Sequence, residues 1–194
     1  NKGFDLKKFN RKKYIELFKP RKDCKYFILD FISFEPSCLN FYIKDYISEG
    51  FYLTHAERYK ITRKEFKDMF IAWIYGGGKA LLGEYINKFN VDFPEVEGLR
   101  KSLTSTRIQN VFGTILSVDR DYKKMNYLLA STSGDVTKKV HYGLYNSGVL
   151  KDGFRIIFSL FDEFLIEVAP DKKIEDIKPY FELYPFIRVK VQEV

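Results

Sequence analysis

Two acidic residues interrupt an apolar run near the C-terminus, where residues 156–168 read IIFSLFDEFLIEV. Asp162 and Glu163 stand at its centre, and an ionised carboxylate buried without a partner costs several kcal/mol. If the flanking segments pair as a hairpin, both carboxylates lie at its rigid tip. Acidic residues are also common in ordinary turns. Taken alone, the pair therefore favours a plain turn over a functional site.

A further carboxylate, Asp30, ends another apolar run, the β-rich stretch YFILDF at 26–31. If the two strands are neighbours, Asp30 and Asp162 can share divalent cations, because Mg²⁺ takes a few carboxylates together with water and substrate phosphates. Two such ions about 4 Å apart serve in-line phosphoryl or nucleotidyl transfer. Two-metal chemistry is therefore one interpretation of these carboxylates.

A helix with cations at its start is the third feature. Thr62 and Glu65 have the spacing of a capping box, and the residues after them have helical periodicity. Cations in the first turns oppose the helix dipole, so contact with phosphate would explain them. An amphipathic helix with solvated cations is the alternative. The residues in question recur every four positions and form one stripe: Arg63, Lys67, Ile71 and Tyr75.

The elements that must position these residues follow from periodicity and from helix start and stop signals. Strands are predicted at 25–31, 111–119, 154–160, 164–168 and 186–191. Helices are predicted from an N-cap at Ser33 to about Ile47, and at 63–75, 78–90, 94–110, 134–145 and 172–183. This order indicates an α+β fold, an antiparallel sheet with helices on one face.

The composition narrows the class of protein. Hydrophobic residues make up 45% of the 194 residues and aromatic residues 18%, which is typical of a packed globular protein. No apolar run is long enough to span a membrane and no secretion signal opens the chain, so we expect an intracellular protein without a membrane partner. Cys24 and Cys38 are then expected to be reduced. His55 and His141 are isolated, which argues against a histidine metal site or a catalytic triad.

The formal net charge is +7, and residues 1–25 hold ten Lys and Arg against three acids. A basic arm of this kind can face the phosphates of a nucleic acid. A solvated basic surface explains the same residues, and the sequence leaves both interpretations open.

In this order, the segments resemble the palm and fingers of family A (DNA polymerase I-like) DNA polymerases. DFISFE at 30–35 resembles motif A of that family, D-[YF]-S-x-I-E. The segment from Arg63 to Gly76 contains the R-x3-K-x7-Y-G pattern of motif B, and LFDEFLIEV at 160–168 resembles motif C. Softer similarities lie at Phe93-Pro94 and in NYLLASTSGD at 126–135.

The resemblance implies an antiparallel palm sheet flanked by helices, with an inserted helical fingers subdomain. It assigns residues 1–54, with the basic N-terminal arm, to the first part of the palm, 55–116 to the fingers and 117–194 to the second part of the palm. A thumb and an exonuclease domain are not expected within the chain. We therefore expect a thumb-bearing upstream segment or a partner subunit.

The function implied by the resemblance is a template-directed DNA polymerase core that adds dNTPs to the 3′ end of a primer on primer–template DNA. Two Mg²⁺ ions, replaceable by Mn²⁺, would be held by Asp30, Asp162 and the Phe31 carbonyl. Glu163 would lie near the primer terminus. Glu35 would lie under the incoming sugar and exclude a 2′-hydroxyl.

The resemblance also implies roles for the helical stripe. Arg63 and Lys67 would bind the triphosphate, and Lys67 is the candidate proton donor to the leaving pyrophosphate. Ile71 would pack on the nucleotide, while Tyr75 and Gly76 would border the templating base.

The chain departs from the family pattern at several polar positions. Phe161 stands in place of the motif C histidine, and Ile71 in place of an aromatic residue. Ser33, Ala130 and Tyr122 also replace polar family residues, which implies weaker mismatch discrimination.

Two other functions remain open. One is a catalytically weak or inactive polymerase-like module that binds primer–template DNA. The other is a two-metal phosphoryl-transfer enzyme such as a nuclease, which would not need a helix that binds nucleoside triphosphates.

Overall fold

The computed structural model describes residues 17–44, 50–77, 82–160 and 162–194. Its strands and helices, in chain order, are β1 (Lys25–Phe31), α1 (Phe34–Ser37), α2 (Phe51–Tyr59), α3 (Arg63–Ile74), α4 (Tyr85–Asp92), α5 (Pro94–Ser102), β2 (Arg107–Gln109), β3 (Ile115–Ser117), α6 (Lys124–Asn146), β4 (Phe154–Leu160), β5 (Glu163–Val168) and β6 (Val189–Glu193). Four strands form one antiparallel sheet in the order β4-β5-β1-β6, and β2 pairs with β3. The sheet is flanked by helices, which confirms the predicted α+β class. No helix among these residues is both long and apolar enough to cross a membrane.

The two faces of the sheet differ because successive side chains of a strand point in opposite directions. Leu29 and Phe31 of β1 are buried in the main core, which also contains the apolar side of α6. Ile28 points the other way and joins Leu165 of β5 in a smaller cluster. Asp30 therefore lies on the face opposite the main core, at the end of its strand.

An aromatic cluster holds the helices together. Phe66 and Phe70 of α3 have ring centroids 5.7 Å apart, and Phe66 lies 6.0 Å from Phe51 of α2 and 5.8 Å from Phe89 of α4. All four rings are buried. Burying large aromatic side chains contributes most of the stability of such a core. The packing also fixes the orientation of α3 about its own axis.

The capping box predicted at the start of α3 is confirmed. The Thr62 hydroxyl accepts a hydrogen bond from the Glu65 N–H (3.2 Å), and the Glu65 carboxylate accepts one from the Thr62 N–H (2.8 Å). These contacts satisfy backbone donors that a helix start leaves unpaired. The first turn of α3, with Arg63, is thereby held in one place.

His55 of α2 is the polar member of the aromatic cluster, with its ring 5.5 Å from that of Phe66. Its Nδ1 atom is buried and has no hydrogen-bond partner within the described part of the chain. Burial lowers the pKa of His55 from its ordinary value of 6.5, and the nearby Arg58 guanidinium lowers it further.

We therefore expect the protein to lose stability as the pH falls through about 6.5. The unfolded chain takes up a proton at the ordinary pKa, whereas the folded chain resists it, so acidification favours unfolding. Urea unfolding at pH 8, 7, 6 and 5 should show this decline. In His55→Phe the decline should be smaller, since the ring packing is retained and the titrating group is lost. Parallel curves for the two proteins would contradict the prediction.

The predicted helix from Ser33 to about Ile47 starts where expected, with Ser33 in the N-cap position, but it is much shorter than predicted. α1 has only four residues and is followed by a 3₁₀ turn at Cys38–Phe41. Ser33 has a left-handed backbone (φ 49°) and its side chain makes no capping hydrogen bond. The chain turns back here, and Phe34 stacks on Phe31 with ring centroids 4.1 Å apart. Residues 45–49 lie outside the described ranges.

The predicted helix at 94–110 and the strand at 111–119 were also partly wrong. α5 ends at Ser102, and residues 107–109 instead pair with 115–117 in a hairpin. Gly113, with φ 90°, allows the tight connection. The short pairing was missed because β2 and β3 are three residues each.

The last helical predictions differ from the structure as well. α6 starts at Lys124, ten residues before its predicted start, and its buried Met125, Leu128 and Leu129 extend the apolar side of the later turns. Residues 172–183 form two 3₁₀ turns, since Pro179 cannot donate a helical hydrogen bond. α4 starts at Tyr85, and β6 starts three residues after its predicted start. Residues 78–81 lie outside the described ranges.

Two cations in the described part of the basic arm, Arg21 and Lys25, form ion pairs with carboxylates of the sheet. The Arg21 guanidinium donates to the Glu167 carboxylate (2.6 Å), and the Arg21 N–H donates to its second oxygen (2.8 Å). Glu167 is 1% exposed, so its charge needs this partner. Lys25 likewise pairs with Glu193 at 2.8 Å. Arg21 and Lys25 are therefore paired within the fold. Residues 1–16 lie outside the described ranges.

Candidate active site

A cleft of about 840 Å³ opens at the end of β1, between the sheet, α3 and α6. Both carboxylates and cations line it, and its charged lining residues are Asp30, Glu35, Asp162, Arg63, Lys67 and Lys190. A surface with both signs of charge suits a ligand that carries metal ions and phosphates together. Asp30, Asp162, Arg63 and Lys67, which the sequence singled out, therefore line one cavity.

The acidic corner of the cleft is built by pairing of β1 with β5. Asp30 lies directly opposite Glu163 in this antiparallel pair, so their side chains are on the same face. Asp162 occupies the turn that leads into β5, and its carbonyl accepts a hydrogen bond from the Phe31 N–H (2.9 Å). The predicted hairpin and its contact with the strand of Asp30 are thus confirmed. Phe161, the position of the motif C histidine, lies outside the described residues.

This corner is not a closed metal cage. Across the described ranges, no three His, Cys, Asp or Glu side chains come close enough together to hold a metal ion by themselves. Mg²⁺ is usually bound in phosphoryl-transfer sites by one or two carboxylates, with water and substrate phosphates as further ligands. The half-buried Asp30 and Asp162 fit that mode of binding. The donor set therefore suits Mg²⁺ arriving with a nucleotide.

Lys190 is a cleft residue that the sequence reasoning missed. β6 pairs with β1 on the side away from β5, and the register places Lys190 opposite Asp30. Glu163, Asp30 and Lys190 thus form a row across three strands on one face. Residues 189–191 alternate as V-K-V, which marks Lys190 as pointing away from the core. Only the pairing of strands about 160 residues apart reveals its carboxylate neighbour.

The stripe on α3 reaches the cleft only in part. Arg63, Lys67 and Ile71 line it. α3 ends at Ile74, and the next residue, Tyr75, belongs to the cap of the helix rather than to the lining. Arg63, Lys67 and Ile71 therefore line the cleft, whereas Tyr75 does not.

Tyr75 instead contacts Glu35, which follows β1 in the chain. The Tyr75 hydroxyl donates a hydrogen bond to the Glu35 carboxylate. Burial, this hydrogen bond and the charge of Glu35 raise the pKa of Tyr75 well above its ordinary value. The contact ties the end of α3 to the segment that carries Asp30.

Tyr75→Phe is expected to lower the free energy of unfolding by about 1–3 kcal/mol, because Glu35 would lose its donor in a half-buried position. The measurement is urea unfolding at pH 7. Glu35→Gln keeps an acceptor for Tyr75 and serves as the milder control. A Tyr75→Phe variant at least as stable as the parent would show that the pair contributes nothing to stability.

Gly76 follows Tyr75 with φ 81°, in the left-handed region. A Cβ atom at this position would lie 2.8 Å from the Tyr122 carbonyl oxygen. Only glycine fits this close approach between the end of α3 and the start of the α6 region. Gly76 is therefore explained by packing as well as by the motif that it completes.

The opposite wall of the cleft is one side of α6. Its lining residues recur every three or four positions and have small side chains, namely Ala130, Ser133, Gly134 and Thr137. Asp135 points into the structure, where Asn110 (2.8 Å) and Thr114 (2.6 Å) donate to its carboxylate. Burial opposes ionisation of Asp135, but hydrogen bonds from Asn110, Lys138 and Thr114 outweigh it and keep its pKa below the ordinary value. This network anchors α6 against the β2–β3 hairpin.

Comparison with solved structures finds a similar fold. The chain is similar to the POL domain of Pol1 from M. smegmatis, determined in complex with DNA primer-template and dNTP, with a TM-score of 0.72. The two proteins share a fold over the matched residues. Sequence identity is 14%, and the match covers 91% of this chain and 40% of the other. No protein-family model and no curated protein matches the sequence.

Proposed function

We propose that this chain is a template-directed DNA polymerase core that adds dNTPs to a primer 3′ end by two-metal nucleotidyl transfer. One observation carries the proposal: the Asp30–Asp162 corner and the Arg63–Lys67 stripe, which come from distant segments, line the same cleft. The likeness of fold to a domain solved with primer-template and dNTP supports it. In this proposal the sheet is a palm and the helices from 55 to 116 are fingers.

In the proposed reaction, Asp30, Asp162 and the Phe31 carbonyl would hold two Mg²⁺ ions, or Mn²⁺ in their place. When bound, these ions would neutralise charge on the phosphates and lower the pKa of the attacking 3′-hydroxyl. Glu163 lies beside Asp30 in the β1–β5 register, and we assign it to the surroundings of the primer terminus. The attack would then take place at the acidic side of the cleft.

The cations on α3 bind the triphosphate from the other side. Arg63 and Lys67 are one helical turn apart and line the cleft with Ile71, which packs on the nucleotide. Lys67 is also the proposed proton donor to the leaving pyrophosphate. Fixed cations stabilise the charge that develops on a transferring phosphoryl group.

The remaining site residues are assigned to selectivity. Glu35 lines the cleft next to the acidic corner and is proposed to exclude a 2′-hydroxyl. In this structure it accepts the hydrogen bond of Tyr75. Tyr75 and Gly76 are proposed to border the templating base, and the hydrogen bond to Glu35 fixes the position of the Tyr75 hydroxyl.

The partners are primer–template DNA and dNTPs, together with a thumb-bearing upstream segment or subunit that grips the duplex. The chain spans 40% of the length of the polymerase structure that it matches. The intracellular location expected from the sequence is part of the same proposal.

A second candidate is a polymerase-like module that binds primer–template DNA without turnover. The observation in its favour is the formal net charge of +7, which suits contact with the phosphates of a duplex. Such a module would keep salt-dependent duplex binding, carried by Lys and Arg.

The deciding experiment is extension of a labelled primer on four templates that differ in the first templating base. Each template is given single dNTPs and Mg²⁺ at low salt. Incorporation of the complementary nucleotide on each template is the expected result. Duplex binding without incorporation, in the presence of Mg²⁺ or Mn²⁺, would favour the binding module. Degradation of the primer would favour a nuclease.

A further inference from the structure

Tyr52, the second residue of α2, is a buried aromatic residue that touches the cationic stripe of α3. It is 4% exposed, and its ring centroid lies 6.4 Å from that of Phe66 and 6.3 Å from that of Phe70. These contacts fasten it to the buried side of α3. Tyr52 is not among the residues that line the cleft.

The ring of Tyr52 lies beneath both cleft cations. The Arg63 guanidinium carbon is 5.8 Å from the ring centroid, and the Lys67 Nζ atom is 5.9 Å from it. A cation within about 6 Å of an aromatic face is attracted by the negative charge density of the ring. One buried ring therefore contacts two charges that come from successive turns of the helix.

The arrangement of Arg63 and Lys67 needs such a contact. Like charges four residues apart on a helix repel each other, and cations in the first turns are opposed by the helix dipole. The aromatic face offsets part of this repulsion while leaving the cations on the cleft. Since the ring is packed against Phe66 and Phe70, it also limits the directions in which the two side chains can point.

The hydroxyl group of Tyr52 is not needed for the contacts between the ring and the two cations. It is buried, and no hydrogen bond of good geometry reaches it among the described residues, although the Ser33 hydroxyl lies close enough to lower its pKa in part. Burial raises the pKa of Tyr52 to about 12, so the hydroxyl carries no charge at neutral pH. The contacts with Arg63 and Lys67 are made by the ring.

We propose that Tyr52 is a positioning residue whose ring holds Arg63 and Lys67 in the orientation that binds a polyphosphate. The inference rests on the proposed function in taking these cations as the triphosphate site. Tyr52 acts through the two cations and does not touch the nucleotide.

The test measures binding of inorganic tripolyphosphate to the full chain by calorimetry, in the parent and in Tyr52→Phe and Tyr52→Leu. Tyr52→Phe keeps the ring and should bind within about twofold of the parent. Tyr52→Leu removes two cation–ring contacts and should weaken binding about 5- to 30-fold. Phe51→Leu, in the same aromatic cluster, is the control for lost packing, and far-ultraviolet circular dichroism checks that each variant is folded.

A double-mutant cycle identifies the route of the effect. If Tyr52 acts through Lys67, the loss in Tyr52→Leu should shrink when it is combined with Lys67→Ala, because coupled residues are not additive. Tyr52→Leu binding as tightly as Phe51→Leu would overturn the inference. The inference would also be overturned if the effects of Tyr52→Leu and Lys67→Ala on binding were fully additive, or if Tyr52→Phe lost as much affinity as Tyr52→Leu. A parent chain that does not bind tripolyphosphate would overturn it as well. Normal binding in a chain that does not extend primers would count against the polymerase proposal alone.

Discussion

Asp162→Asn is expected to abolish primer extension, with a loss of at least about a thousandfold in the rate of nucleotide incorporation. A metal-bound carboxylate supports several kcal/mol of charge stabilisation in the transition state, and each 1.36 kcal/mol corresponds to a tenfold change in rate. Asparagine has nearly the same shape but lacks the charge that holds Mg²⁺. Asp30→Asn should have the same effect, because both carboxylates occupy one corner of the cleft.

The rate should be measured in single-turnover extension with saturating dNTP, together with the affinity for primer–template DNA. Asp171→Asn, an exposed acid outside the cleft lining, makes the same change in charge and serves as the control. Removing a negative charge does not weaken attraction to DNA, so duplex binding should persist in all three variants. If Asp162→Asn extended primers at the parent's rate, the two-metal assignment would be wrong.

Lys67→Ala is expected to reduce the rate of incorporation by about 100- to 1000-fold, as found for removal of a group that stabilises transition-state charge. Lys67 lines the cleft opposite the acidic corner and is half-buried on α3. Arg63→Ala should act differently and chiefly raise the KM for dNTP, because Arg63 is more exposed and contacts only the bound triphosphate in the proposed arrangement.

The matched control is Lys64→Ala, which removes a cation from the same helix at a position that does not line the cleft. Its kcat and KM should stay within about twofold of the parent, as is usual for exposed substitutions away from a site. Equal losses in Lys64→Ala and Lys67→Ala would show that the helix contributes general positive charge rather than a specific contact. The pH dependence of the rate would add a readout for proton donation by Lys67.

Local sequence chemistry predicted the elements whose signals lie within a few residues. The Thr62–Glu65 capping box specifies the start of α3 by itself, since both partners belong to one turn. The apolar runs around Asp162 specify a hairpin, and the run that ends at Asp30 specifies a strand. The sequence also singled out most of the charged residues that line the cleft.

Local signals misled the prediction in three segments. Ser33 has the identity of an N-cap, yet stacking of Phe34 on Phe31 accompanies a left-handed turn in which its side chain does not cap. Pro179 divided the expected helix at 172–183 into 3₁₀ turns. The Ser- and Thr-rich middle of α6 hid a 23-residue helix, because these residues are weak helix formers and burial of its apolar side outweighs that preference.

The identities and spacing of the carboxylates and cations are properties of the sequence, whereas their arrangement is a product of the tertiary fold. The β1–β5 register sets Glu163 beside Asp30, and the β1–β6 register adds Lys190. The aromatic cluster orients α3, so that Arg63 and Lys67 face the cleft while Tyr75 turns to Glu35. Strand register and helix orientation depend on burial of side chains that are far apart in the chain, which no local pattern encodes.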